Sequence, residues 1–291
     1  GTFTQATSTV TLSGNGDATI NSAALTLYNL TISGTGVKST HASSAITFAT
    51  SGTLTVTAGT FDPLTALVAS GTNTLSVGSS SGTLRVQAST FAGSYPAGFA
   101  TKNFNTGSTI DYVLSGTQTV LNTTYYNLTV STGGTKTLGG DTTVSNVMTI
   151  GSGATLSASS YTLTLSGTTG TPFVKTGTFI AGTGTVTYSG VYASGTTTVA
   201  GGQYNNLTVS GAETYDVGTN NSWKYQKSIT IDNAMVANSN QTNFPVLISI
   251  TSDSDLATNV QADADDIYFT DSTGAKLSHE IERYTTATGE L

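Results

Sequence analysis

Four aspartates, Asp263, Asp265, Asp266 and Asp271, make the densest set of ionisable groups in the chain. Oxygen-rich carboxylate clusters suit Ca²⁺, so calcium is the metal these residues could recruit; no other cofactor is implied. Their spacing is not that of an EF-hand loop, and adjacent acids on a strand point to opposite faces. A solvated acidic face is therefore the competing reading. Asp253 and Asp255 form a sparser pair. His279-Glu280-Ile281-Glu282 brings the start of an H-E-x-x-H zinc motif to mind, but the segment alternates like a strand and lacks the second histidine. The other histidine, His41, lies in a Ser/Thr-rich stretch and belongs to no metal or catalytic motif.

Aromatic residues offer a second chemistry. "FAGSYPAGF" presents Phe91, Tyr95 and Phe99 around a proline, and Trp223 and Tyr225 open a later segment. Such rings can stack on sugars, or else cover an apolar core. Sequons stand at Asn29, Asn122, Asn127, Asn206, Asn220 and Asn240, each a glycosylation acceptor in a suitable host or a corner and ladder residue in a β fold. Nucleophilic catalysis finds no support. There is no cysteine, neither histidine falls in a catalytic motif, and no serine has a strand–turn–helix setting.

Composition points to the scaffold. Charged residues make up 9% of the 291, against about 25% in an ordinary soluble domain, while 36% are hydrophobic. Disordered chains combine low hydrophobicity with high charge, and this one does the reverse. Thr and Val favour a pleated sheet, and the helix formers Glu, Lys and Arg are scarce. The expected class is all-β. A net charge of −7 argues against nucleic acid, which requires clustered cations. No apolar run approaches the ~20 residues of a membrane helix.

One phrase is written three times: "YNLTISG" from Tyr28, "YNLTVST" from Tyr126 and "YNNLTVSG" from Tyr204. Each closes a longer unit, the units starting near residues 3, 104 and 179. Within them apolar residues alternate with Thr or Ser, as in Leu30/Ile32, Leu128/Val130 and Leu163/Leu165, so one face turns inward and hydroxyls turn out. Strand-like pieces recur every twenty residues or so, the length of one coil of a β-solenoid. A solenoid coil buries too little to stand alone, and stacking gives each coil cover from its neighbours. Parallel coils would wind right-handed. The alternative is a series of tandem antiparallel β-sandwiches, supported locally by Asn15-Gly16, a two-residue hairpin signal. Repeat spacing favours the elongated solenoid. "GTFTQATSTVTLSG" at the start matches "GTFIAGTGTVTYSG" from Gly177 without gaps, so the chain is expected to open inside a repeat and to belong to a longer polypeptide.

Charge marks a boundary. The first 220 residues carry five basic and six acidic groups, and the rest four and ten. The expected organisation is a repeat region over 1–216, a linker over 217–222 and a second domain over 223–291. That second part, with "WKYQKSITID", "NFPVLISI" and "DDIYFTDSTGAKLSHEIERY", resembles a β-domain family of unknown function found in bacterial and archaeal secreted and surface proteins, related to concanavalin-like jelly rolls. The resemblance implies a partial jelly-roll, secretion and a sugar-binding role, and it lends no catalytic residue. The first 220 residues are similar to the repeat segments of large bacterial surface proteins and adhesins.

The reading that follows is a structural, non-catalytic segment of a secreted or cell-surface protein. It would self-associate with copies of itself into an extracellular filament, sheath or stalk. A carbohydrate-binding adhesin that contacts surface polysaccharide is the alternative. A polysaccharide-active enzyme ranks third, because the few charges of the repeat region look scattered along the chain.

Overall fold

The computed structural model describes residues 6–42, 44–64, 67–69, 71–88, 98–211, 214–216, 227–230, 245–264, 266–271 and 276–291. The chain divides into two compact units, Gly1–Gly218 and Thr219–Leu291. Described strands of the first unit run, in order, β1 (Thr9–Leu12), β2 (Ala18–Ile20), β3 (Leu25–Ile32), β4 (Val37–Thr40), β5 (Ile46–Val56), β6 (Thr60–Asp62), β7 (Leu67–Val68) and β8 (Thr74–Val77). There follow β9 (Thr83–Val86), β10 (Thr101–Phe104), β11 (Thr109–Tyr112), β12 (Gln118–Val120), β13 (Thr124–Val130), β14 (Thr135–Leu138), β15 (Thr142–Ile150) and β16 (Thr155–Ser157). The last are β17 (Thr162–Leu165), β18 (Phe173–Lys175), β19 (Thr178–Ile180), β20 (Thr185–Tyr188), β21 (Thr197–Thr198), β22 (Asn206–Val209) and β23 (Tyr215–Asp216).

Every pairing between these strands is parallel. Strands β1, β3, β5, β8 and β10 form one sheet, with β7 beside β5. A longer sheet runs β2-β4-β6-β9-β11-β13-β15-β17-β20-β22, with β18 beside β15. A third holds β12, β14, β16 and β19, and β21 pairs with β23. The unit is a β-solenoid of about nine turns, all-β as the alternation predicts. The sandwich alternative falls with the parallel pairing, since hairpins pair antiparallel.

The Asn15-Gly16 signal is corrected by the same finding. It joins β1 to β2, which lie in different sheets, so it turns a corner and closes no hairpin. The next coil stacks on that corner: Thr35 donates its backbone N–H to Asn15 Oδ1 (3.4 Å) and its hydroxyl to the Asn15 carbonyl (3.1 Å). Glycine is required at the equivalent corners of the first two repeats. Gly36 and Gly134 have φ of +81° and +80°, and a Cβ on Gly134 would lie 2.4 Å from the Gly116 carbonyl below.

The core is a set of columns. Leu84, Ile110, Leu128, Met148 and Phe173 stand above one another through the strand register, beside Val86, Tyr112, Val130 and Ile150. On the other sheet Leu30, Leu54 and Leu75 stack beside Ile32, Val56 and Val77, all 0% exposed. Outward positions hold hydroxyls and amides, such as Thr11, Thr31, Thr55, Ser76 and Asn103.

In the second unit one short helix, α1 (Ser254–Asn259), is capped by Asp253, whose side chain accepts from the backbone of Asp255 and Leu256. Antiparallel bridges join Thr270 to Lys276 and Thr285 to Glu290. Ile250 and Leu291 exchange backbone hydrogen bonds of 2.8 and 2.9 Å. No helix among the described residues is long and apolar enough to cross a membrane.

Column position should decide the effect of a core truncation. Leu128→Ala, enclosed between Ile110 and Met148, is expected to lose about 2–5 kcal/mol in a guanidinium titration. Leu207→Ala, on the last coil and 39% exposed, is expected to lose less than half as much.

Candidate functional site

The recurring phrase is where the solenoid concentrates its polar chemistry. Its asparagine bridges coils. Asn29 Nδ2 donates to Thr9 Oγ1 of the coil before (3.2 Å), and its Oδ1 accepts the Thr53 N–H of the coil after (3.1 Å). Asn127 repeats this, donating to the Ser108 carbonyl (3.0 Å) and accepting from Asn146 Nδ2 (2.7 Å) and Val147 N–H (3.3 Å). Asn206 donates to the Gly184 carbonyl at 3.4 Å. Three of the sequons thus supply ladder residues. Asn122 is exposed at a corner, and Asn220 and Asn240 lie outside the described residues.

Eight residues past the leucine of each phrase stands a second polar group, Lys38, Lys136 or Tyr215. Lys38 and Lys136 are 1% and 0% exposed. Lys136 Nζ donates to the carbonyls of Leu114 (2.6 Å) and Gly133 (2.5 Å), and Lys38 Nζ to those of Gly16 (2.6 Å) and Thr35 (2.8 Å). Tyr215 reaches the Gly190 carbonyl at 2.7 Å. Lys102 on β10 likewise donates to the Phe99 carbonyl. These ammonium groups fill carbonyl-lined corners that would otherwise be left unpaired or need a cation. Burial pushes the Lys136 and Lys102 amines down.

A third feature is a closed ring of hydrogen bonds inside the core. Leu121 N–H donates to Tyr112 Oη (2.9 Å), Tyr112 and Tyr125 share a bond of 3.0 Å, and Tyr125 O–H donates to the Leu121 carbonyl (2.6 Å). Tyr188, Tyr204 and Ala200 repeat it one unit later. In the first unit the matching positions are Leu12 and Leu27, so the pair changes together. The match also corrects the phrase alignment. Tyr204 stands two before Asn206, as Tyr125 does before Asn127, whereas Tyr28 and Tyr126 sit at a bulge immediately before the asparagine.

Charges that look scattered in the sequence are gathered by the register. Asp62, Arg85 and Asp111 lie side by side on successive strands of the long sheet. Two carboxylates across two strand spacings, roughly 9.5 Å, would suit acid–base cleavage of a glycoside. Both are already engaged. Asp62 holds Gln87 Nε2 at 3.0 Å, Leu64 N–H at 3.3 Å and Arg85 at 3.4 Å, and Asp111 accepts from Ser131 Oγ at 2.8 Å. The row works as a clasp between coils.

A cavity of about 400 Å³ opens where the third sheet stops at β19. Phe179, Ile180, Ala181, Gly182, Gln203, Tyr204 and Asn205 line it. Aromatic edges and amides without charge make it compatible with a neutral, hydroxylated ligand.

The residues singled out from sequence fare differently. Phe99 is 1% exposed with its ring against Phe48 at 5.7 Å, so it fills core and presents no face to a sugar. Phe91, Tyr95, Trp223, Tyr225 and Asp265 lie outside the described residues. Asp266 accepts the Gln261 N–H at 3.0 Å, while Asp263 and Asp271 are exposed. Among the described residues no three Asp, Glu, His or Cys side chains converge on a point. Asp253 caps α1 and pairs with Lys227 at 2.5 Å, which also reaches Asp255. His279 sets its ring nitrogens against the carbonyls of Leu277 and Ile267 and packs edge-on to Phe269. No protein-family model, curated protein or solved structure matches the chain.

Two pH effects follow. Burial, foremost, pushes Tyr112 up to about 12 and Tyr125 well above the usual phenol value. Between pH ~10 and 12 the unfolded tyrosines lose protons that the folded ones keep, so stability is full below pH 10 and falls above it. The slope is about 1.4 kcal/mol per pH unit for each tyrosine. Urea titrations at pH 8 to 11.5 should show this fall, and Tyr112→Phe/Tyr125→Phe should make it shallower while lowering stability at pH 8, the share of Tyr188 and Tyr204, raised by burial in the same way, remaining.

Asp111 is raised by burial, against opposing contributions from Ser131 and Arg85. Its contribution to stability is therefore present at low pH and lost as pH rises through the carboxylate range. Asp111→Asn should melt higher than the parent at pH 7, with the gain vanishing near pH 3.

Proposed function

We propose that this chain is a structural, non-catalytic segment of a secreted or cell-surface protein, whose β-solenoid self-associates into an extracellular filament, sheath or stalk. One observation carries the reading: a single apolar interior is shared by all the coils, and the side chains with notable polar chemistry are spent on joining one coil to the next. Such an arrangement suits a scaffold, because its polar groups serve the joints between coils. The low charge of the outer faces supports association, because uncharged hydroxyl surfaces do not repel.

The cavity at Phe179 and Tyr204 favours a second reading, an adhesin that holds a neutral glycan. Sedimentation velocity across a concentration series, with negative-stain electron microscopy and a glycan array, separates the two. A scaffold should assemble as concentration rises and bind no glycan. Monomers at every concentration would sink the self-association reading, and glycan binding abolished by Gln203→Ala would install the adhesin.

A further inference from the structure

We propose that the outer face of the sheet β1-β3-β5-β8-β10 binds ice, through two parallel columns of threonine, serine and asparagine side chains spaced like the water lattice. The inference goes beyond the self-association reading and does not depend on it.

One outward column runs Thr11, Thr31, Thr55, Ser76 and Asn103, and the other Thr9, Asn29, Thr53, Thr74 and Thr101, with no break in register between them. The three middle strands, β3, β5 and β8, have a paired strand on each side, so the face does not depend on either end of the sheet. Their inward neighbours Leu30, Leu54 and Leu75 are buried and anchor the outward side chains from behind. Threonine is β-branched and stiff at χ1, so its hydroxyl and methyl are held in place before any ligand arrives. Among the described residues the hydroxyls of Thr31, Thr53, Thr55 and Thr74 bond to no other protein group. Polar side chains on the long sheet are occupied by their neighbours, as Asp62 and Asp111 are. The threonine hydroxyls are left for what lies outside.

The occupant is argued from spacing and charge. Neighbouring strands stand about 4.7–4.9 Å apart, and outward positions along one strand recur every ~6.6 Å. Oxygen positions on the prism face of hexagonal ice repeat at closely similar intervals, the shorter along one axis and the longer along the other. A threonine hydroxyl offers one donor and two acceptor sites, so it can both give to and take from a lattice water. Charge is complementary as well. Neither column holds an ionised group, and Lys102 on β10 turns to the Phe99 carbonyl instead. The long sheet lacks this neutrality, because Asp62, Arg85 and Asp111 stand along it. Other occupants fit less well. Neither column holds an aromatic ring on which a sugar could stack. A face of this many strands, three residues wide, covers roughly 240 Å². A stable protein interface takes about 800 Å² from each partner, so a second copy is poorly served here.

The test uses the full chain, with ice growth watched in a nanolitre osmometer. The parent should shape ice into facets and hold its freezing point below its melting point. Thr31→Tyr/Thr55→Tyr, which sets two bulky rings at the centre of the face, should lose most of that gap. Thr149→Tyr, an outward change on the long sheet, should behave as the parent. Circular dichroism and urea midpoints establish that each variant keeps its sheet. If the tyrosine pair does not, Thr55→Lys decides in its place, because a charge at this half-buried outward position leaves the core untouched. Rounded crystals and no gap with the parent would overturn the proposal and leave self-association standing. A gap that survives the face variants would overturn this face as the site. Retention of the parent on microcrystalline cellulose or chitin, with no gap in the osmometer, would assign a polysaccharide instead and overturn ice.

Discussion

Parallel stacking is the constraint on which the rest of the first unit depends. A coil of a solenoid is a poor structure by itself: its main-chain groups point along the stack, toward partners that only another coil can supply. In an antiparallel hairpin a strand finds its partner within a few residues. Here Thr9 must wait for Asn29 and Asn29 for Thr53, so order is gained only when whole coils have closed. The apolar columns follow from this register. Once Leu128 is fixed between Ile110 and Met148, inward residues of successive strands are bound to meet, and burial accumulates along the stack.

The polar groups inside obey the same constraint. A corner between two faces leaves carbonyl oxygens that no strand can pair, and burying them without a partner would cost about 1–3 kcal/mol each. Lys38 and Lys136 reach into the corners from the coil above, and Tyr215 does the same with a hydroxyl. That a lysine and a tyrosine serve at one position explains what matters there, a long side chain ending in a donor. The tyrosine ring at Tyr112 and Tyr125 answers the alternative problem, a main-chain N–H and C=O of Leu121 exposed to the interior. Where leucine stands at both positions, in the first unit, the ring is absent.

How much of this was legible in the residues can be traced through particular cases. Alternation in "NLTV" and the recurrence of the phrase were enough for the all-β class and for stacked coils, because period two and a twenty-residue repeat are local quantities. Asn15-Gly16 misled because turn chemistry specifies a change of direction and not whether the next strand returns beside the first or moves to another face. The Asp62–Arg85–Asp111 row was hidden for a different reason. Arg85 lies 23 residues from Asp62, and their meeting depends on the length of each intervening coil. Phe99 illustrates burial: a ring beside proline and glycine could stack on a sugar or cover the core, and only the approach of Phe48 decides for the core. In the third phrase one additional asparagine moves the tyrosine inward, a change visible in the letters and interpretable only with the bulge in hand.

The three units do not begin on the same face. The first phrase lies on the sheet of β1 and β3, whereas the second and third lie on the sheet of β11, β13, β20 and β22. Coil lengths vary enough to carry a unit from one face to another, so among the described residues the three phrases do not line up on one outer face. What is preserved across the units faces inward or along the stack: the bridging asparagine, the long donor at the corner, the aliphatic columns. The row that looks most like chemistry, Asp62 with Arg85 and Asp111, occurs once among the described residues and is closed by its own neighbours. Among the described residues, repetition is strict where it joins coil to coil and loose where it meets solvent, as expected of a fold whose constraint runs along the stack.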